Sequence, residues 1–259
     1  MIEYNSELLE NLKEIPHNPQ GPVGENPSEW AIKMGIQHNF NLPNRVMDRK
    51  EVRNYCQSNE NEILAAYLAV MAWGGQGKGP GGRKHVLNAW NNRNLLLDKI
   101  NRIKEGNLSR EESFNLFVGE RSVPGLGPAY FTKLLYFFGS NMYIMDQWTT
   151  KPVLLLTEKN IIRHTDYGPS SGNNGENYEL FCLIIEDLVN LIEAQSGEEV
   201  EERLFSKGSI NGQPRGEFRQ LIVERWENRE RFPRYQHRLV KKILYNNSHI
   251  FNKTLQNVR

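Results

Sequence analysis

Cysteine and net charge are both scarce in this sequence. Its 259 residues include two cysteines, Cys56 and Cys182, which lie far apart in the chain. Two thiols cannot form a disulfide framework, which favours a reducing compartment, and they cannot supply the four thiolates that hold an iron–sulfur cluster. The formal net charge is only +1. The molecule as a whole therefore does not attract nucleic acid, and a nucleic-acid partner must meet a local basic patch.

Targeting and membrane signals are also missing. The opening stretch, MIEYNSELLENLKEIP, carries charges scattered among its apolar positions, whereas a secretory signal peptide has an unbroken apolar segment. No apolar run approaches the roughly 20 residues of a transmembrane helix. We therefore expect a soluble cytoplasmic protein, associated with the nucleoid if the cell is prokaryotic, that does not bind membranes.

Metal-binding and nucleotide-binding signatures are absent or weak. The six histidines show no pairing with one another or with cysteine at the spacing of metal ligands, and we expect neither a metal nor a cofactor. The stretch 74–82, GGQGKGPGG, contains G-x-G-x-x-G. It follows a helical pattern instead of a strand, so it is not a dinucleotide fingerprint. It is either a flexible connection between helices or a contact for nucleic acid.

Positive charge is concentrated in two stretches. Residues 74–104 hold seven Lys or Arg residues against one Asp, and residues 226–242 hold six against two Glu, with aromatic residues between them. Glycine-loop amides and basic side chains both suit phosphate oxygens. We predict that Lys78, Arg83 and Lys84 bind a nucleic-acid backbone. The second stretch alone is weaker support, because exposed helix faces often carry this much charge.

Helical periodicity dominates the sequence, and alternating strand patterns are few. The predicted helices cover 4–14, 62–73, 83–103, 109–119, 128–138, 146–159, 176–195, 198–208 and two segments of 217–247 that are split at Pro233. Two stretches rich in Pro, Gly and Asn, 17–30 and 163–177, are predicted to be loops. The fold class is therefore mainly α.

Residues 109–153 carry the strongest pattern, a helix, a VPGLGP turn and a second apolar helix. We predict positive φ at Gly125 and Gly127, with Leu126 tucked between the helices. Amides at the start of the second helix would then face a phosphate. Such a helix-hairpin-helix binds the DNA backbone without reading its sequence. The alternative is an ordinary helical hairpin with a glycine turn.

One charged residue, Lys133, interrupts the apolar run PAYFTKLLYFF at 128–138. A buried ammonium is costly unless it is paired or neutral. Either the long side chain reaches water at its tip, or Lys133 is a reactive amine whose pKa is lowered by burial.

These residues resemble the helix-hairpin-helix DNA glycosylase superfamily, and 8-oxoguanine DNA glycosylase-like proteins in particular. The string GLGPAYFTKLLYFF is followed by SNMYIMDQWTTKPV, which places Asp146 19 residues after Gly127, as the superfamily pattern expects. The resemblance is most specific over 62–155. It implies a two-lobed, mainly α enzyme of base-excision repair that flips a damaged base out of double-stranded DNA and removes it. An oxidised purine such as 8-oxoguanine is the first candidate. We expect a monomer.

The resemblance also implies roles for the site residues. Asp146 would stabilise the oxocarbenium-like transition state, although it could equally be a helix N-cap. Superfamily members with lyase activity carry a nucleophilic lysine two residues beyond the second hairpin glycine, where this chain has Ala129. Lys133 lies one turn later, about 6 Å along the helix, and is either the Schiff-base nucleophile or a surface lysine. Gln147 and Trp148 would line the base pocket.

The implied organisation has three segments. Residues 1–61 form an N-terminal helix and an extended arm that packs on the second lobe. Residues 62–160 form the helix-hairpin-helix lobe with the candidate lysine and aspartate, and residues 161–259 form a C-terminal helical lobe with a basic tail.

Two other functions stay open. The chain could be a non-catalytic helix-hairpin-helix module that recognises modified or foreign DNA in defence. It could also be an all-helical interaction protein in which the glycine turn only joins two helices.

Overall fold

The computed structural model describes residues 2–16, 21–75, 81–205, 209–210, 213–214 and 216–229. The helices in this part of the chain are α1 (Ser6–Glu14), α2 (Pro27–Met34), α3 (Arg49–Gln57), α4 (Ile63–Trp73), α5 (Gly82–Asn91), α6 (Arg93–Lys104), α7 (Arg110–Asn115), α8 (Pro128–Phe138), α9 (Gln147–Thr157), α10 (Gly175–Leu191), α11 (Gly197–Phe205) and α12 (Gly216–Asn228). The strands are β1 (His164–Thr165), β2 (Gly168–Pro169), β3 (Ser209–Ile210) and β4 (Gln213–Pro214).

The fold is mainly α, as the sequence predicts. The strands form two short antiparallel hairpins, β1 with β2 and β3 with β4. No helix in the described part of the chain is both long enough and apolar enough to cross a membrane.

Contacts between Cα atoms divide the chain into two compact units, one made of Met1–Pro19 with Met145–Arg259 and one made of Gln20–Ile144. In the Gln20–Ile144 unit, α4 is the central helix. Its residues from Ala65 to Trp73 are all buried, and it packs against α2, α3, α6 and α8. A helix that is apolar on every side can only be stable in such a core.

The other unit is built around α9. This helix packs against α1, α10, α11 and α12, and its residues from Pro152 to Thr157 are buried. Asp146 caps the start of α9, whereas Lys133 belongs to α8 of the Gln20–Ile144 unit. The predicted division of the chain into residues 1–61, 62–160 and 161–259 stays a prediction.

Side chains that cap the helices explain where many of them begin. Capping boxes open α3 at Asp48, α7 at Ser109, α9 at Asp146 and α10 at Asn174. In each box, the cap side chain accepts from a backbone amide while the side chain three residues later accepts from the cap's own amide. The start of the helix predicted from Ser109 is confirmed.

Several helix boundaries differ from the prediction. Helix α2 begins inside the predicted loop 17–30, because the Asn26 side chain accepts from the Ser28 amide and Pro27 occupies the first helical position. The predicted helix 83–103 is two helices, α5 and α6, that meet at Asn92. Helix α3 was not predicted.

The loop predicted at 163–177 contains the β1–β2 hairpin, which Asn173 fastens at its base. The Asn173 side chain accepts from the Arg163 amide at 2.8 Å and donates to the Arg163 carbonyl oxygen at 2.8 Å. Of the two helices predicted over 217–247, the first is α12, and the second lies outside the described residues.

The imidazole of His164, in β1, packs edge-on against the Trp226 ring of α12, with the ring centroids 4.7 Å apart. Burial lowers the pKa of His164 to about 4 from its ordinary value of 6.5. Above pH 6.5 the residue is neutral in both the folded and the unfolded chain. Between pH 6.5 and 4 only the unfolded chain binds the proton, so the free energy of unfolding falls as the pH falls.

We expect this single group to remove roughly 1–2 kcal/mol from the free energy of unfolding between pH 7 and pH 4, because partial exposure of the ring weakens the full effect. Urea unfolding at several pH values, for the wild type and His164→Gln, measures it. The variant should lose this part of the pH dependence. The exposed His85 serves as the control, since His85→Gln should keep it. Equal pH slopes for wild type and His164→Gln would contradict the prediction.

Candidate active site

The turn between α7 and α8 docks on the backbone of α5. Gly125 has φ +90°, and a Cβ atom there would lie 2.0 Å from the His85 carbonyl oxygen and 3.2 Å from the Ala89 nitrogen. Only glycine allows both this backbone conformation and this close approach. Leu126 is buried, and its amide closes the turn by donating to the Val123 carbonyl oxygen at 3.0 Å.

The second hairpin glycine does not take the predicted positive φ. Gly127 has φ −82° and is the N-cap of α8, and no atom lies within 4 Å of a Cβ placed there. The prediction was wrong for Gly127 because the turn needs only one left-handed residue, at Gly125. Gly127 is exposed, and no side chain caps the first turn of α8. These uncapped amides suit a phosphate oxygen.

The structure brings two of the predicted backbone-binding residues close to this turn. Arg83 and Lys84 lie on the first turn of α5, the helix that Gly125 contacts, and both are exposed. Arg83 is anchored by its Nε, which donates to the Met34 carbonyl oxygen at 3.2 Å. The third predicted residue, Lys78, lies outside the described residues.

Lys133 is buried, with 6% of its surface exposed. Its Nζ donates to the Ala129 carbonyl oxygen at 2.7 Å and lies 5.6 Å from the centre of the Tyr130 ring. Side chains of a helix point towards its N-terminus, and here the long stem carries the amine back by one full turn. The amine therefore lies beside residue 129, where lyase members of the superfamily carry their lysine.

The stem of Lys133 fits against the end of α4 because residue 74 has no side chain. A Cβ atom on Gly74 would lie 2.7 Å from Lys133 Cδ and 3.0 Å from Cε. The φ of Gly74 is −73°, which any residue adopts. The glycine is therefore needed for space and not for its backbone conformation.

Asp146 is also buried, with 9% of its surface exposed. Its Oδ1 accepts from the amides of Trp148 and Thr149 at 2.8 and 3.2 Å, and its own amide donates to Thr149 Oγ1 at 3.1 Å. The predicted N-cap is therefore present. These hydrogen bonds fix the orientation of one carboxylate oxygen at the N-terminus of α9.

Gln147 and Trp148, the predicted pocket residues, follow Asp146 on the first turn of α9 and are half-buried. The β1–β2 hairpin lies against Gln147, since a Cβ atom on Gly168 would be 3.5 Å from Gln147 Cβ. The Trp148 ring is covered by the Arg219 guanidinium, whose Cζ is 3.8 Å from the ring centre.

Sequence reasoning missed the cations around the tryptophans of this unit. The Nζ of Lys151 lies 5.0 Å from the centre of the Trp148 ring and 5.4 Å from that of Trp226, and burial lowers its pKa. Arg219 lies in the stretch EFRQLIV, where Glu217 is also charged, so the sequence does not single it out in the way that it singles out Lys133. Among the described residues, no group of His, Cys, Asp or Glu side chains is arranged to hold a metal ion.

Comparison with known families completes the description of the site. One family, described as "Putative 8-oxoguanine DNA glycosylase OGG-like protein", matches residues 17–205. The chain belongs to this family. Comparison of the chain with curated proteins and with solved structures found no match.

Membership of the OGG-like family confirms the resemblance seen in the sequence and supports a function of the DNA glycosylase kind, with DNA as the partner. The matched residues include Lys133, Asp146 and the whole hairpin turn. Arg219 lies beyond them.

Replacing each of the two hairpin glycines by alanine separates their contributions to stability. Gly125→Ala forces a Cβ atom into the backbone of α5 and should lower the free energy of unfolding by roughly 3 kcal/mol. Gly127→Ala meets no atom and should change it by less than about 0.5 kcal/mol. Urea unfolding measures both values. If Gly125→Ala were as stable as Gly127→Ala, the close contact between Gly125 and the backbone of α5 would be wrong.

Proposed function

We propose that this chain is a DNA glycosylase that excises a damaged or modified base, first of all an oxidised purine such as 8-oxoguanine, from double-stranded DNA. One observation carries the proposal: the buried amine of Lys133 lies beside Ala129, the position at which lyase members of the superfamily carry their lysine. Family membership supports the coarser function, and the geometry of Lys133 supports a covalent step.

The DNA backbone would bind at the hairpin turn. The uncapped first turn of α8, the exposed Gly127 and the exposed cations of α5 lie in one unit around the Gly125 contact. Backbone amides and basic side chains together bind phosphates without reading sequence. This mode of binding suits an enzyme that must search DNA of any sequence for a rare damaged base.

Lys133 would supply the nucleophile. A neutral Nζ attacks C1′ of the extruded nucleotide, the C1′–N bond breaks, and its electron pair leaves with the base. The proton that the amine loses passes through solvent to the base. Opening of the sugar ring then gives a Schiff base, from which strand cleavage can follow. The attack requires the neutral amine, because the lone pair on Nζ is the nucleophile.

Asp146 would stabilise the positive charge that develops on the sugar as the base departs. Its hydrogen bonds to the amides of Trp148 and Thr149 hold one carboxylate oxygen in place. In the absence of a covalent step, the same carboxylate could activate water, and the product would be an abasic site.

Borohydride trapping on a duplex that contains 8-oxoguanine tests the covalent step. Wild-type protein should form a trapped adduct, and Lys133→Gln should form none, because glutamine has no amine. Lys99→Gln is a matched control: Lys99 is also buried, at 4% exposure, and its Nζ donates to the Leu116 carbonyl oxygen at 2.6 Å. This control should still form the adduct. An adduct with Lys133→Gln would show that another residue is the nucleophile.

A second variant moves the amine without removing it. Gly74→Ala places a methyl group against the Lys133 stem and should slow adduct formation with little loss of stability, since a flexible side chain can give way. Gly21→Ala, where a Cβ atom meets nothing within 4 Å, should keep the wild-type rate of adduct formation.

The proposed function as a whole has a clear contrary outcome. Wild-type protein that binds DNA and releases no base from a panel of damaged duplexes would overturn the proposal in favour of a non-catalytic DNA reader.

Asp146→Asn removes the charge and keeps a cap oxygen, so it should preserve the fold and DNA binding. Base release should fall by about 10²-fold or more, the usual cost of losing one electrostatic stabiliser of a transition state. Single-turnover kinetics and circular dichroism measure the two effects. Asp48→Asn is the control, since Asp48 caps α3 in the same way. Equal rates for the two variants would exclude Asp146 from the chemical step.

A further inference from the structure

Arg219 of α12 is a buried cation whose terminal nitrogens have no acceptor. The residue is 1% exposed, and neither Nη1 nor Nη2 has a hydrogen-bond partner among the residues that the structure describes. Leaving buried donors unpaired is costly, and more so for a charged group. Such a group in a native structure calls for an explanation, and a role in binding a ligand that supplies the missing acceptors is one.

The position of Arg219 is set by two aromatic rings. Its Cζ lies 3.8 Å from the centre of the Trp148 ring and 5.2 Å from that of Phe205. Arginine packs well on aromatic faces because its charge is spread over a flat group. These contacts hold the guanidinium in place and leave its terminal donors unused.

Trp148 links Arg219 to the candidate catalytic carboxylate, because the Trp148 amide donates to Asp146 Oδ1 at 2.8 Å. The charge of Asp146 also acts on Arg219. Burial lowers the pKa of the guanidinium to about 10, and the carboxylate opposes this shift. Arg219 is therefore charged at neutral pH and lies within electrostatic reach of Asp146.

From this arrangement we infer that Arg219 binds the extruded base: Nη1 and Nη2 donate to acceptor atoms of the base and stabilise the negative charge that it gains as the C1′–N bond breaks. This inference rests on the proposed function and names the residue that faces the leaving group. Asp146 and Arg219 would then act on opposite charges, Asp146 on the sugar and Arg219 on the base. Both interactions strengthen towards the transition state.

The surroundings favour a base over a phosphate. The donors are shielded from water and lie beside aromatic rings, an environment that suits a flat heterocycle with carbonyl oxygens and ring nitrogens. A phosphate keeps much of its hydration and is usually bound at exposed cations. The side chains that now shield the donors must move to admit the base.

The rival explanation is that Arg219 is only a structural counter-charge for Asp146. Four proteins separate the two roles: wild type, Arg219→Gln, Arg219→Lys and the control Arg49→Gln. Arg49 is matched because it is also buried, at 6% exposure, with its Cζ 4.1 Å from the centre of the Tyr136 ring. Circular dichroism and thermal unfolding establish that each variant is folded.

The first readout needs no catalysis. The affinity for free 8-oxoguanine is measured by the quenching of tryptophan fluorescence. We expect the wild type and Arg49→Gln to bind it at least about tenfold more tightly than Arg219→Gln does, with Arg219→Lys in between. The second readout is single-turnover base release from a duplex that contains 8-oxoguanine. Arg219→Gln should slow it by about 10²-fold and leave affinity for a duplex with a tetrahydrofuran abasic-site analogue unchanged.

The outcomes distinguish this inference from the proposed function. If the wild type releases the base and Arg219→Gln does so at the same rate, the inference is wrong and the glycosylase stands. If free base binds through Arg219 but no base is released, Arg219 is a base-binding residue, and both its role towards the leaving group and the enzymatic function are wrong. If Arg219→Gln weakens free-base binding no more than Arg49→Gln does, Arg219 is a structural residue.

Discussion

A buried ammonium must find an acceptor inside the protein, and this requirement shapes the helix-hairpin-helix of this chain. Lys133 satisfies it with the Ala129 carbonyl oxygen one turn earlier on its own helix, which draws the amine back to the start of α8. The Lys133 stem lies against Gly74, the C-cap of α4, where a Cβ atom would crowd it. The position of the amine therefore depends on how α4 and α8 pack, and a change in this part of the core would shift the proposed nucleophile.

The position of the Asp146 carboxylate also depends on helix packing. Asp146 caps α9, the helix around which its unit is built. The capping hydrogen bonds fix one carboxylate oxygen at the N-terminus of α9. This structural role is compatible with the proposed chemical one, because stabilising the charge on the sugar needs a carboxylate that is held in place. The capping role alone would not explain why a charged residue is used, since asparagine caps helices equally well.

Local patterns predicted much of this structure from the sequence. Helical periodicity identified α4, α8 and α10, a capping box identified the start of α7, and the alternative expectation that Asp146 is a helix N-cap is confirmed. The assignment of positive φ to Gly127 failed because a Gly-Leu-Gly string does not show which glycine turns the chain. The roles of Gly74 and Arg219 could not be predicted, since they arise from contacts of α4 with α8 and of α9 with α12, which lie far apart in sequence.

Three buried cations on helices of this fold, Lys99, Lys133 and Arg219, differ in the acceptors that the protein gives them. Lys99 donates to the end of a neighbouring segment at Leu116, so the protein satisfies it permanently. Lys133 donates to a carbonyl oxygen of its own helix, that of Ala129. The terminal nitrogens of Arg219 have no partner in the described part of the chain. Arg219 also lies beyond the family-matched residues 17–205, so the base contact that we propose for it is not part of what the family match covers.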